Sequence, residues 1–134
     1  MTLRVAIFDD VLAVRREVFH IPGLAVEVYG DADDVLIVCS GEGAPAPEIL
    51  CMDYAMGPDH VNGADAIRAL RAAGYAGRIV AMSSDPAANA SMVAAGADEA
   101  LPQKAMLRSF LVALGQKQLA ADKAAAGGGD EGAR

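Results

Sequence analysis

The sequence predicts a single α/β domain, a five-stranded parallel sheet with helices on both faces. Three observations carry this expectation. Short apolar runs alternate five times with amphipathic or Ala-rich stretches, the pattern of repeated βα units. The run at 49–52 (ILCM) is wholly apolar, as suits a strand buried on both faces. That run stops abruptly at Asp53, and the runs on either side of it also end in carboxylates or hydroxyls. Open α/β sheets place their ligands in the crevice at the carboxyl ends of the strands.

Each element has its own reason. Residues 3–8 (LRVAIF) read as the first strand, ending at Asp9 and Asp10. Residues 11–19 carry Leu12, Val14, Val18 and Phe19 among Arg15, Arg16 and Glu17, a short amphipathic helix. Pro22-Gly23 breaks it. Residues 24–29 (LAVEVY) form a β-branched second strand. A second helix is expected over 31–40, with acids at its start to suit the helix dipole. Val35 to Val38 suits a strand equally well by propensity. The loop 41–47 (GEGAPAP) leads to the third strand, and the loop 57–63 (GPDHVNG) follows it.

A helix over 64–73 turns Ile67 and Leu70 inward and ends at Gly74. Residues 78–82 (RIVAM) are the fourth strand, leading to Ser83, Ser84 and Asp85. An Ala-rich helix over 86–95 starts at Pro86 and closes at Gly96. Residues 99–101 form a short fifth strand, ended by Pro102. The last helix runs over 105–125, with Leu107, Leu111 and Leu114 on one face. The domain is therefore expected over 1–125. Residues 126–134 (AGGGDEGAR) have no apolar anchor and read as a disordered tail.

Composition narrows the function. Of the 134 residues, 54% are hydrophobic and 4% aromatic, so the core is aliphatic. A formal charge of −7 with no basic patch argues against nucleic acid and anionic membranes as partners. Cys39 and Cys51 form no CxxC pair, and Cys51 lies within an apolar run, so a reduced core thiol in a cytoplasmic protein is expected. No leader segment is expected, and no apolar stretch reaches the ~18 residues of a membrane span.

The strand ends gather Asp9, Asp10, Asp53, Ser83 and Ser84, with Lys104 close by. Three carboxylates in one crevice require a cation or raised pKa values. Hard oxygen ligands suit Mg²⁺. Beside a metal, an Asp carboxylate can accept a phosphoryl group, and a hydroxyl and an ammonium can meet its oxygens. Bland roles compete residue by residue: Asp9 as a helix cap, Ser84 or Asp85 as the cap of the helix at Pro86, His60 as a solvated loop residue, His20 as a helix-end residue.

Taken together, FDD at 8–10, MDYAM at 52–56, AMSS at 81–84 and GADEALPQK at 96–104 resemble the receiver domain of bacterial response regulators. The likeness covers about residues 3–115. It implies a flavodoxin-like sheet of strand order 2-1-3-4-5. It also implies Asp53 as phosphoacceptor, Mg²⁺ held by Asp9, Asp10, Asp53 and the Ala55 carbonyl, Ser83 as the switch hydroxyl and Lys104 as the phosphoryl-contacting cation. The implied donor is a histidine kinase or phosphotransfer protein. The implied chemistry is self-phosphorylation and self-dephosphorylation only, without a further enzyme activity. Output is expected through contacts of helices 86–95 and 105–114 with an output protein or a second copy, as in stand-alone receivers.

The chain departs from the family pattern in places. Lys104 comes one residue late, which sets Gln103 at the lysine position unless a bend at Pro102 brings Lys104 in. The switch aromatic of the fifth strand falls at Ala100. A degenerate, phosphorylation-independent binding module or phosphoryl sink is the alternative that these departures favour. A haloacid-dehalogenase-type enzyme would need a second Asp where Ala55 stands. A flavodoxin-like cofactor binder would want a phosphate loop where Asp9 and Asp10 stand.

Overall fold

The computed structural model describes residues 2–132, with side chains described over 2–126. Five strands, β1 (Leu3–Phe8), β2 (Leu24–Tyr29), β3 (Ile49–Met52), β4 (Arg78–Ala81) and β5 (Glu99–Ala100), form one sheet of order β2-β1-β3-β4-β5. All four pairings are parallel, with Cys51 opposite Ile7 on one side and Val80 on the other. The expected architecture and strand order are those observed.

Alternation along the strands splits the core in two. Ala6, Phe8, Leu50, Met52, Ile79 and Ala81 face one side, where they meet α2 (Val35–Val38), α3 (Gly63–Ala72) and α4 (Pro86–Ala95). Val5, Ile7, Ile49, Cys51, Val80 and Met82 face the other. There they meet Leu107, Leu111 and Leu114 of α5 (Leu107–Gly132), with Leu12 of α1 (Asp10–Val14). Burying each of the large aliphatic side chains contributes roughly 1.5–3 kcal/mol. Cys51 is fully buried, which pushes its thiol up to about 12. Cys39 is pushed up to about 11 for the same reason. Both thiols are therefore protonated near neutrality.

Two helices are shorter than expected. α1 spans five residues rather than 11–19. Arg16 adopts a left-handed φ of 54°, its N–H donating to Ala13 O and that of Glu17 to Leu12 O. This paired closure ends a helix, and it usually has Gly where Arg16 stands. The chain beyond it is not helical, yet it sends Phe19 and Ile21 into the core that a longer helix would have filled. α2 is a single turn of four residues within the expected 31–40. The acids before it do not serve its N-terminus. Asp31 Oδ1 accepts from Asp33 N, and Asp33 turns to His60 and Val61.

Elsewhere the elements start and stop for local reasons. Asn62 caps α3, its side chain accepting from Asp65 N, and Asp85 caps α4 by accepting from Ala87 N. Gly115 lets α5 approach Pro22 so closely that a Cβ at this position would collide with the Pro22 carbonyl. The backbone of α5 continues through Gly132, past the expected boundary at Ala125. The tail expected over 126–134 thus begins within this helix, and residues 133–134 lie outside those described. No described helix is long and apolar enough to cross a membrane.

Candidate functional site

The site forms where β1, β3 and β4 end. Backbone bonds hold these ends level: Asp9 N donates to Tyr29 O, Asp53 N to Phe8 O and Met82 N to Met52 O. Asp9, Asp10 and Asp53 are thereby brought together, each offering an oxygen within 4.8 Å of the others.

The three carboxylates have different surroundings. Asp9 is fully buried. Its Oδ1 caps α1, accepting from Val11 N (2.9 Å) and Leu12 N (3.0 Å). Its Oδ2 lies 2.9 Å from Lys104 Nζ as an ion pair. That oxygen is the one buried side-chain N or O atom without a hydrogen-bond partner among the described residues. Asp10 is partly exposed, and its Oδ1 accepts from Val11 N. Asp53 is buried; Oδ1 accepts from Tyr54 N (2.8 Å) and Oδ2 from Lys104 Nζ (2.6 Å).

Electrostatics follow from this packing. Burial raises the pKa of the Asp53 carboxyl, Asp9 adds to the rise, and the Lys104 bond and charge only partly oppose it. For Lys104 the balance is reversed. Burial lowers its pKa, but the hydrogen bond to Asp53 and the negative charges of Asp53 and Asp9 outweigh this and raise it. The difference matches exposure: the Lys104 side chain is 36% exposed and that of Asp53 only 7%. One ammonium faces three carboxylates, so the cluster keeps an excess of negative charge. A buried carboxylate oxygen lacking a hydrogen bond needs a further partner. An oxygen donor set of this kind fits a hard divalent cation such as Mg²⁺.

Lys104, and not the exposed Gln103, carries its charge to the carboxylates. A 3₁₀ turn over Lys104–Met106 follows Pro102. Ser83, Ser84 and Ala55 line one open hollow together with Asp53 and Lys104. Ser83 is buried, its Oγ accepting from Asp85 N. Ala100 is half-buried and pairs with Ala81 on β4.

Two features escape sequence reasoning. Asn89 is a buried amide on α4 bonded to Ser83 and Leu101; its one sequence signal is a polar residue on an otherwise apolar helix face. His60 is not simply solvated: its Nδ1 lies 2.6 Å from Asp33 Oδ2, which raises the imidazole pKa and lowers that of Asp33. The two residues are 27 apart, so no local pattern announces the pair.

No protein-family model matches the chain, and no curated protein is detectably similar to it in sequence. Solved structures do match. A CheY-like response-regulator receiver domain protein from Methanospirillum hungatei aligns with a TM-score of 0.64 at 20% identity, over 92% of this chain and 98% of that one. The receiver domain of the Francisella response regulator 1452 aligns with a TM-score of 0.66 at 16% identity, over 87% and 96%. A two-component response regulator of the LuxR family from an Aurantimonas species shares 27% identity over 75% of this chain and 73% of its own, with a TM-score of 0.56. The fold is therefore the receiver-domain fold of response regulators. Within it, the acidic cluster stands at the carboxyl ends of β1 and β3.

Proposed function

We propose that this chain is a phosphoacceptor receiver of a two-component phosphorelay. Asp53 takes a phosphoryl group from a histidine kinase or a histidine phosphotransfer protein, and the signal leaves through changed protein–protein contacts. The supporting observation is the convergence of Asp53 Oδ2, Asp9 Oδ2 and Lys104 Nζ, which lies 2.6 and 2.9 Å from the two carboxylates, at the carboxyl end of the sheet.

In this reading a carboxylate oxygen of Asp53 bonds to phosphorus as the P–N bond to the donor imidazole breaks. The electron pair leaves on the imidazole nitrogen. Lys104 then gives up its bond to Asp53 for one to a phosphoryl oxygen, and the Ser83 hydroxyl turns from Asp85 N to donate to another. Asp9, Asp10, Asp53 and the Ala55 carbonyl would hold Mg²⁺. When bound, the ion draws charge from the phosphoryl oxygens and allows the three carboxylates to be ionised together. Asp9 also keeps the β1 loop in place through its two cap bonds. The chain acts as a signalling domain whose own chemistry is gaining and losing this phosphoryl group. Ala100 favours a second reading, a degenerate receiver that binds partners without phosphorylation, since a methyl group cannot swing between buried and exposed states.

Intact mass after incubation with Mg²⁺ and acetyl phosphate separates the two. The expected result is a gain of one phosphoryl group, lost in Asp53→Asn and Asp10→Ala. A wild-type chain that gains no mass is the degenerate module.

A further inference from the structure

We infer that Asn89 is the positioning residue that couples Ser83 to the segment carrying Lys104, an inference that rests on the phosphoacceptor reading of Asp53. Asn89 sits on the second turn of α4 and is 7% exposed. Its Oδ1 accepts from Ser83 N at 2.8 Å, and its Nδ2 donates to Ser83 O at 2.7 Å and to Leu101 O at 3.1 Å. Both amide hydrogens and the carbonyl oxygen are therefore used, and a flipped amide would set its NH₂ against the Ser83 N–H.

One side chain thus grips both polar groups of the Ser83 backbone. The same side chain holds the last carbonyl before Pro102, three residues ahead of Lys104. Ser83 cannot turn its backbone without moving Asn89, and Asn89 cannot move without pulling on α4 and on the end of β5. Leu101 N donates to Ala81 O at 2.8 Å, so this end of β5 is tied to the same strand that delivers Ser83. Burying an amide in an Ala-rich helix is unfavourable unless every polar atom is met, as it is here. With Ala100 in place of an aromatic, no aromatic side chain on β5 stands ready to relay a change. The Asn89 amide supplies the link instead.

The test is an amide chemical-shift titration of the full chain with Mg²⁺ and beryllofluoride, a phosphoryl mimic, in wild type and Asn89→Ala. Wild type is expected to shift at Asp53 and Ser83 and also across 100–106. In Asn89→Ala the shift at Asp53 persists while the shift across 100–106 falls to roughly half or less, and phosphorylation by acetyl phosphate slows by roughly ten- to a hundredfold from the displaced Ser83. A merely structural staple would lower the melting temperature without changing the ratio of the distant shift to the shift at Asp53. If Asn89→Ala does not fold, Asn89→Leu keeps the approximate side-chain volume and removes every hydrogen-bonding group, with the same expected ratio. An unchanged ratio in the folded variant overturns the coupling. Absence of any wild-type shift at Asp53 overturns the phosphoacceptor reading, and the coupling with it.

Discussion

The two halves of the sheet are backed differently. β3, β4 and β5 are each followed by a helix of ten residues or longer, whereas β1 and β2 are followed by helices of five and four residues, so the sheet has a thick half and a thin one. The most exposed large apolar side chains, Val14 (83%), Ile37 (69%) and Val18 (62%), all belong to the half with the short helices. The site straddles the boundary. Asp9 and Asp10 come from the thin half, and Asp53, Ser83 and Lys104 from the thick one. The groups that would meet a phosphoryl group thus come from the half whose strands lead into long helices. The acids that complete the cation site stand beside a helix held largely by its cap.

The largest effect that separates the halves is core truncation. Leu111→Ala or Ile67→Ala removes a fully buried side chain and is expected to cost about 2–5 kcal/mol. Val14→Ala should stay within about 0.5 kcal/mol. Urea unfolding measures both; equal costs would erase the distinction.

Next in size is the contact that joins the halves. Gly115→Ala places a methyl group against the Pro22 carbonyl. Relief requires α5 to shift from the turn before β2, at an expected cost of about 1–3 kcal/mol. The loss should appear in the melting temperature and as faster amide exchange in β2 than in β4.

A smaller, pH-dependent effect tests the electrostatics. Burial raises the Asp53 pKa above its ordinary 3.8, so the folded state holds this proton more tightly than the unfolded state. The resulting destabilisation is absent at low pH, grows as pH rises through 3.8 and is complete above the folded pKa. Asp53→Asn should therefore raise the metal-free urea midpoint at pH 7 and leave it unchanged at pH 3. Saturating Mg²⁺ should reduce or reverse the difference, because wild type alone keeps the full ligand set. A lower midpoint for metal-free Asp53→Asn at pH 7 would show that the Lys104 pair outweighs burial.

The smallest effect concerns the end of α1. Arg16 occupies a left-handed conformation that costs roughly 1 kcal/mol for a residue with a side chain. Arg16→Gly is expected to stabilise the fold by about that amount or less, measured by urea unfolding. A destabilised variant would mean that the Arg16 side chain contributes more than its backbone costs.

These elements also show what was legible in the sequence. The sheet and its order could be read because each buried strand is an apolar run and the runs end in functional groups. The end of α1 could not, because Arg16 stands where such a closure ordinarily takes Gly. The length of α2 was hidden because Asp33 is drawn to His60 and Val61 in the loop after β3. Asp53 announced itself as a carboxylate ending a buried strand. Lys104 stands one residue late in the family pattern, and its reach to Asp9 and Asp53 is set by the chain path after Pro102, which residue spacing does not carry. Asn89 passed unnoticed because its partners are backbone groups at Ser83 and Leu101, which carry no side-chain signature.

The most direct measurement locates the phosphoryl group. After treatment with Mg²⁺ and acetyl phosphate, borohydride reduces an aspartyl phosphate to homoserine, which marks the residue permanently for peptide sequencing by mass spectrometry. The expected result is homoserine at position 53 and at no other aspartate, with none formed in Asp10→Ala. Homoserine at another aspartate, or an unmodified Asp53, would contradict the assignment of Asp53 as the acceptor on which the cluster of Asp9, Asp10, Ser83 and Lys104 converges.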